Sequence, residues 1–378
     1  MIKKITVVHV GNVNSYPPVI SLLENLIEKQ IRIDLICGTS MSDLPAVISG
    51  STYVKGIYIP ENNDHTILKK IERNTIYKST FRKSVMESMK DSDILWTTTD
   101  VTVKILGNTV LKYKHIMQLM ELIESIPRFG KFKQWKFPIK KIAQRAWKVV
   151  VPQIDRAYIQ KAWWNLERVP SVLPNKPYTL DYGTPTDKMV EVHSRIVNEH
   201  RKILLYLGVI GPDRNIDKFA EAIKNSNEYV LYLLGRPAYG EQDYLEQLLK
   251  RYPNIVYVGF FNPPQHLYFV KDAFIGILPY VAKVSMHYSE LNAQYCAPNK
   301  IYEYSGFGIP MIGTEVLGIK RPLEMYNMGI SISEISEKSI AEAITEIDRD
   351  YAAYSENCKL FFEKVDLGEA LRKILEDT

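Results

Sequence analysis

Cysteine is scarce in this sequence: among 378 residues only Cys37, Cys296 and Cys358 carry a thiol, and they stand far apart. With no C-x-x-C pair and no metal-ligand spacing, a zinc knuckle, a thiol-redox pair and a disulfide-stapled secreted domain are all excluded, and a cytoplasmic setting is expected. No apolar stretch approaches the ~18 to 20 residues that span a bilayer, and the apolar run near the start is too short for a signal peptide. It reads as a first strand instead. Strong charge of one sign is also missing. The formal net charge of +5 is small for this length, and with no recognisable nucleic-acid-binding fold beside it, nucleic acid is not an expected partner. Neither loop with glycines after a strand, at Gly11 or at Gly208, has the G-x-G-x-x-G spacing, which disfavours a nicotinamide enzyme.

What is present is the composition of a globular protein, 46% hydrophobic and 24% charged. The chain is longer than one core usually organises, so two domains are expected. Both halves follow one order of elements. In the first, residues 5–10 read as a strand, 11–15 as a loop, 19–29 as an amphipathic helix and 31–36 as the next strand, with 93–97, 115–118 and 148–151 continuing the sheet. The second restarts with a strand at 202–208, a loop at 209–215 and a helix at 216–224, followed by strands at 229–235, 255–259 and 273–278 and a helix at 241–251. Such alternation builds doubly wound α/β sheets. Residues 170–188 are rich in Pro, Thr, Asp and Gly and read as a linker, giving domains 1–185 and 186–361. Ligands in such sheets lie beyond the carboxyl ends of the strands, so function is expected in a cleft between the domains.

Two segments of the second half could hold a phosphate. After its first strand come Gly208, Gly211 and Arg214. Glycines permit close approach of a ligand to the backbone, and Arg214 could grip a diphosphate bidentately, although a plain loop with a solvated arginine has the same residues. The second segment is Pro298-Asn299-Lys300-Ile301-Tyr302-Glu303-Tyr304, a helix start, with Gly308 as its stop and 309–312 as a buried strand. A cation in a first helical turn opposes the positive end of the helix dipole unless an anion binds there too, so Lys300 points to a phosphate. Glu303, on the same face, could then accept two ribose hydroxyls. An i,i+3 surface ion pair, worth a few tenths of a kcal/mol, is the other reading, and local spacing leaves both open. His9 and His115 lie in apolar strands and read as core residues.

These segments resemble the donor-site signature of GT-B glycosyltransferases, particularly family 4 enzymes of bacterial surface-polysaccharide assembly. The resemblance covers residues from about 200 to 345: residues 205–208 with Arg214, the strands 231–235 and 256–259, and the stretch 272–280 ending at Tyr280, all as they precede the motif at 298–312. It implies two Rossmann-like doubly wound domains facing a central cleft, the first completed by a C-terminal helix within 362–378. It implies donor binding by Gly208, Arg214, Tyr280, Tyr295, Pro298, Asn299, Lys300 and Glu303, with Glu303 on the ribose and Arg214 and Lys300 on the diphosphate. Gly11 and Asn12, in the loop beyond the first strand, and Glu121 are candidate acceptor contacts, although a loop that merely turns would carry the same glycine and asparagine. Fixed cations and helix N–H groups would stabilise the leaving diphosphate, so neither cofactor nor metal is expected, and anomeric configuration would be retained.

The implied activity is transfer of a sugar from a nucleotide-diphosphate donor to a glycan or lipid-linked glycan. One position departs from the pattern. Many members carry a glutamate eight residues before the second one; here that position is Tyr295, and Glu290 has the wrong spacing. The departure falls at the sugar end of the site. It leaves open a nucleotide-sugar epimerase of the same fold, or a degenerate sugar-nucleotide-binding partner subunit.

Residues 128–148 form a separate feature, with eight basic and no acidic side chains interleaved with Phe129, Phe132, Trp135, Phe137 and Trp147. Ile139, Ile142, Ala143, Ala146 and Val149 alternate with Lys140, Lys141, Arg145 and Lys148 as an amphipathic helix over 138–151 would require. Residues 128–150 could rest on the cytoplasmic face of an anionic membrane, near a lipid-linked acceptor, or be a solvated helix packed on the first domain.

Overall fold

The computed structural model describes residues 2–60, 67–129, 132–282 and 288–376. Unit 1 comprises Met1–Tyr178, Ser285–Asn292 and Asp366–Thr378; unit 2 comprises Thr179–Val284 and Ala293–Val365.

Unit 1 contains strands β1 (Lys4–His9), β2 (Arg32–Cys37), β3 (Val54–Tyr58), β4 (Ile94–Thr97), β5 (His115–Gln118), β6 (Ile126–Phe129), β7 (Phe132–Phe137), β8 (Lys148–Val151) and β9 (Ser171–Val172). Seven form one parallel sheet in the order β3-β2-β1-β4-β5-β8-β9, while β6 and β7 pair by themselves as an antiparallel hairpin. The central strands β1, β4 and β5 are buried along their whole length, and their polar side chains His9, Thr97, His115 and Gln118 are hydrogen-bonded within the unit. The unit ends at Tyr178 and not near 185, because the stretch expected to be a linker supplies β9 and the buried Leu173, and Ser21 Oγ donates to the Lys176 carbonyl at 2.8 Å.

Helix Leu367–Leu375 also belongs to unit 1. Its Leu367, Leu371 and Ile374 enter the core with Leu22, Leu23 and Leu26, and Asn25 Nδ2 donates to the Leu367 carbonyl at 2.8 Å. Residues before Asp366 stay with unit 2: helix Tyr351–Lys364 buries Cys358 and Phe361 in that unit's core. All three cysteines are buried free thiols.

The helix expected over 138–151 is shorter. It runs Ile139–Arg145, Ala146 is extended, and Lys148–Val151 is β8. The three valines of β8 suit a strand beside β5, and β-branched side chains favour that pleated surface over a helix. Ile139, Ile142 and Ala143 are buried in the core, leaving Lys140, Lys141 and Arg145 exposed beside Trp135 and Lys136. Lys131 lies outside the described residues, as do the side chains of Phe129, Phe132 and Lys133.

The described residues of unit 2 form six strands: β10 (Lys202–Leu207), β11 (Tyr229–Leu234), β12 (Ile255–Gly259), β13 (Ile275–Leu278), β14 (Met311–Thr314) and β15 (Gly329–Ile332). They form one parallel sheet, ordered β12-β11-β10-β13-β14-β15. Connections from β10 run outward to β11 and β12, and those from β13 run the other way. The order therefore switches between β10 and β13, as it does between β1 and β4 in unit 1, and the crevice at such a switch is where α/β sheets bind ligands.

Candidate functional site

The carboxyl ends of β10, β13 and β14, with the helix Asn299–Gly306, bring five of the expected donor residues together in unit 2. After β10 the chain turns at Gly208, whose φ of +122° lies in the region that favours glycine. A Cβ there would stand 3.0 Å from Lys300 Cε and 3.1 Å from its Nζ, so the lysine lies directly over this backbone. Arg214 ends a short 3₁₀ turn, Pro212–Arg214, that leads through left-handed Asn215 into helix Ile216–Ala222. Tyr280 follows β13 by two residues.

Two cations converge on Tyr280. Lys300 Nζ donates to its hydroxyl at 3.1 Å and lies 5.5 Å from the ring centroid; the Arg214 guanidinium lies 5.8 Å from the same centroid. Among the described residues only Asp213, 3.4 Å from Arg214 Nε and itself largely exposed, forms an ion pair with either cation. Burial works against the ammonium of Lys300, but Tyr280 and Tyr206 together with Glu303 overcome it and push its pKa up to about 12. The lysine is therefore charged at neutral pH in a half-buried position.

Helix Asn299–Gly306 opens at Pro298 with no side-chain cap. Its first N–H groups thus add positive potential beside Lys300. It ends as expected: Gly308, at φ +69°, donates to the Ser305 carbonyl at 2.9 Å, and Ile309 donates to that of Tyr304 at 3.0 Å. The next strand starts at Met311, two residues later than expected, because Pro310 has no N–H for the ladder.

The surface ion-pair reading of Lys300 and Glu303 fails. Glu303 is only 4% exposed, and its Oε1 lies 3.1 Å from His266 Nε2, while Lys300 turns to Tyr280. Burial disfavours the charged carboxyl, yet the His266 ring and the Lys300 ammonium outweigh it and hold the group below the ordinary glutamate range. A buried carboxylate one turn from the Lys300 ammonium is a hydrogen-bond acceptor of fixed charge. His266 was not among the expected residues. The signal for it was its place just beyond a strand's carboxyl end, after Pro263-Pro264-Gln265.

Tyr295 is half-buried, with the Arg321 guanidinium 5.9 Å from its ring centroid. Of the acceptor residues, Gly11 has φ +111°, and Asn12 Oδ1 accepts from Asn14 N and Thr39 Oγ1 at 2.9 and 3.1 Å, bonds that fix the loop after β1. Glu121 is partly exposed, 4.0 Å from the buried Arg156 guanidinium. His9 and His115 are fully buried and bonded to Thr98 and Thr97 at 2.8 Å, and burial pulls their pKa values down to about 4 and about 3. They are core residues. The chain has two Asp-x-Asp triplets, at 91–93 and 348–350, and both are engaged at the amino ends of strands: Asp91 and Asp93 on Lys4, Asp348 on Lys202.

No protein-family model matches the sequence, and no curated protein sequence is similar to it. Solved structures are similar throughout the chain. HepE of Anabaena, in complex with UDP and glucose, has a TM-score of 0.68 at 13% identity, covering 98% of each chain. The chain has the GT-B fold. WaaG, a glycosyltransferase involved in lipopolysaccharide biosynthesis, has a TM-score of 0.61 at 14% identity over 98% of each chain. A putative UDP-N-acetylglucosamine 2-epimerase from Listeria monocytogenes has 0.60 at 10% identity over 99% of this chain and 95% of its own. The fold is thus common to transferases and an epimerase, and function has to be argued from the site. No helix among the described residues is long and apolar enough to cross a membrane.

Proposed function

We propose that this protein is a glycosyltransferase that takes a sugar from a nucleoside-diphosphate donor held by unit 2 and passes it to a glycan or lipid-linked glycan bound by unit 1, in surface-polysaccharide assembly in the cytoplasm. One observation carries the reading: Lys300 and Arg214 converge on Tyr280 over the bare backbone of Gly208, beside an uncapped helix start, with the Glu303 carboxylate buried one turn deeper. Two cations whose one ion pair among the described residues is that of Arg214 with the largely exposed Asp213, set against helix N–H groups, suit a diphosphate. As the sugar–phosphate bond breaks, negative charge grows on that diphosphate, and preformed donors lower the barrier because they need no reorganisation. On this reading no metal is required, Glu303 takes the ribose hydroxyls, and retention follows from attack on the same face that the leaving group vacates. Gly11, Asn12 and Glu121 are the proposed acceptor contacts.

The HepE complex with UDP-glucose supports the donor class, and WaaG, of lipopolysaccharide biosynthesis, supports the pathway class. Contact with an anionic membrane is proposed through Trp135, 61% exposed, and the exposed Lys136, Lys140, Lys141 and Arg145. It would be electrostatic, since the apolar face of the neighbouring helix is used in the core.

The test is incubation with a panel of nucleotide sugars, measuring nucleotide release with and without membrane extract. Acceptor-stimulated release is expected. Isomerisation without acceptor would identify an epimerase, and binding with neither reaction would leave a sugar-nucleotide-binding subunit.

A further inference from the structure

Oε1 of Glu303 lies 3.1 Å from His266 Nε2, the ion pair that the carboxylate makes among the described residues. His266 reaches it from the connection between β12 and β13, at the start of helix Leu267–Val270. Its own second nitrogen, Nδ1, is buried without a hydrogen-bond partner. His9 and His115 likewise leave one buried ring nitrogen unpartnered, but they spend the other on threonine hydroxyls, whereas His266 directs its Nε2 at a carboxylate. Among the described residues, the polar contact of the ring is the one to Glu303.

A carboxylate can accept about four hydrogen bonds. One anchored oxygen fixes the plane of the group and leaves the other oxygen free at a set position and angle. Two adjacent hydroxyls, as on a ribose, need both acceptor sites placed at once, so the benefit of anchoring is greatest for a vicinal diol. We infer that His266 is a positioning residue for Glu303, holding one carboxylate oxygen so that the group is preset for the 2′- and 3′-hydroxyls of the donor nucleotide. The inference rests on the reading of Glu303 as the ribose contact and adds a specificity device to it: selection for ribonucleotides is set by a residue that does not touch them.

The experiment compares His266→Leu, His266→Gln, Glu303→Gln and the double variant His266→Leu/Glu303→Gln, each confirmed folded by its thermal melt. Affinity is measured by calorimetry for whichever of UDP, GDP and ADP binds the unaltered protein best, and for its 2′,3′-dideoxy counterpart. His266→Leu should weaken the ribonucleotide about tenfold, the scale of one charge-assisted hydrogen bond, while leaving the dideoxy compound unchanged. His266→Gln, which can offer an N–H near the position of Nε2, should recover most of the loss. In the Glu303→Gln background the His266→Leu change should add little. Equal loss for both ligands, or no loss for either, overturns the positioning role. If Glu303→Gln leaves ribonucleotide binding unchanged, or no nucleotide binds, the ribose reading fails first and this inference with it. A loss with Glu303→Gln but none with His266→Leu sinks the inference alone.

Discussion

Lys300 covers Gly208 so closely that a single methyl group on the glycine would stand 3.0 Å from the lysine's Cε. The absence of a side chain at 208 is therefore what lets the ammonium reach Tyr280, and the two residues act as one feature. Gly208→Ala has two expected effects. The φ of +122° is strained for any L-residue, at a cost of about 1–3 kcal/mol in stability. The displaced ammonium should also weaken diphosphate affinity, read by calorimetry with a nucleotide sugar. Unchanged affinity would show that the lysine's position does not matter.

Removing the cations themselves should act additively or better on the diphosphate. Lys300→Ala and Arg214→Ala are each expected to weaken nucleotide-diphosphate binding by about 1.5–3 kcal/mol, and to weaken the parent nucleoside hardly at all. Equal losses for nucleotide and nucleoside would mean that the two side chains support the fold and not the phosphates.

The charges of this site are built to persist. Glu303 is held below the ordinary glutamate range and Lys300 is pushed up to about 12, so the carboxylate is lost only as pH falls below its lowered value and the ammonium only as pH rises toward the raised one. Affinity for a nucleotide sugar, whose diphosphate has no proton to lose in this window, should be flat between about pH 8 and pH 9. A titration inside that range would place another group in the site.

Unit 1 should respond to mild acid through its histidines. His9 and His115 titrate at about 4 and about 3 when folded, against 6.5 as free side chains. The folded state binds fewer protons below pH 6.5, so stability is full above that value and is lost as pH falls beneath it. Each group contributes a slope of up to about 1.4 kcal/mol per pH unit. Urea midpoints at several pH values check this, and a flat series between about pH 6.5 and pH 5 would contradict it.

Charge reversal at Lys136, Lys140, Lys141 and Arg145 should abolish sedimentation with anionic vesicles while leaving the melting temperature within a few degrees of the unaltered chain, since all four are exposed. Each basic group near such a surface is worth about 1 kcal/mol. Unaltered binding would leave these residues as an ordinary solvated face.

The βαβ order was readable because both sheets are parallel and buried, which turns their strands into apolar runs bounded by loops. Gly208, Arg214, Lys300 and Glu303 were legible as candidates, each with a plain loop or a surface ion pair as the competing reading, and Tyr280 entered only through the family resemblance. Three things were hidden. The helix expected over 138–151 gave way to β8 because apolar spacing suits a helix and a strand equally until a neighbouring strand is known. The burial of Glu303 depends on a histidine 37 positions earlier in the chain, a distance no local pattern spans. The boundary at Tyr178 was masked by prolines, which are as much at home beside a short edge strand as in a linker.

The core of unit 1 is closed by Leu367, Leu371 and Ile374, residues translated after all of unit 2. Each buried side chain of this kind contributes about 1.5–3 kcal/mol, so the three together rival the whole stability of a typical domain. The first unit to leave the ribosome is thus the last to be finished. While unit 2 is being made, the apolar surface beside Leu22 and Leu26 waits uncovered for helix Leu367–Leu375, and a nascent chain stalled before residue 366 would carry a folded unit 2 and a unit 1 still open to chaperones and to aggregation.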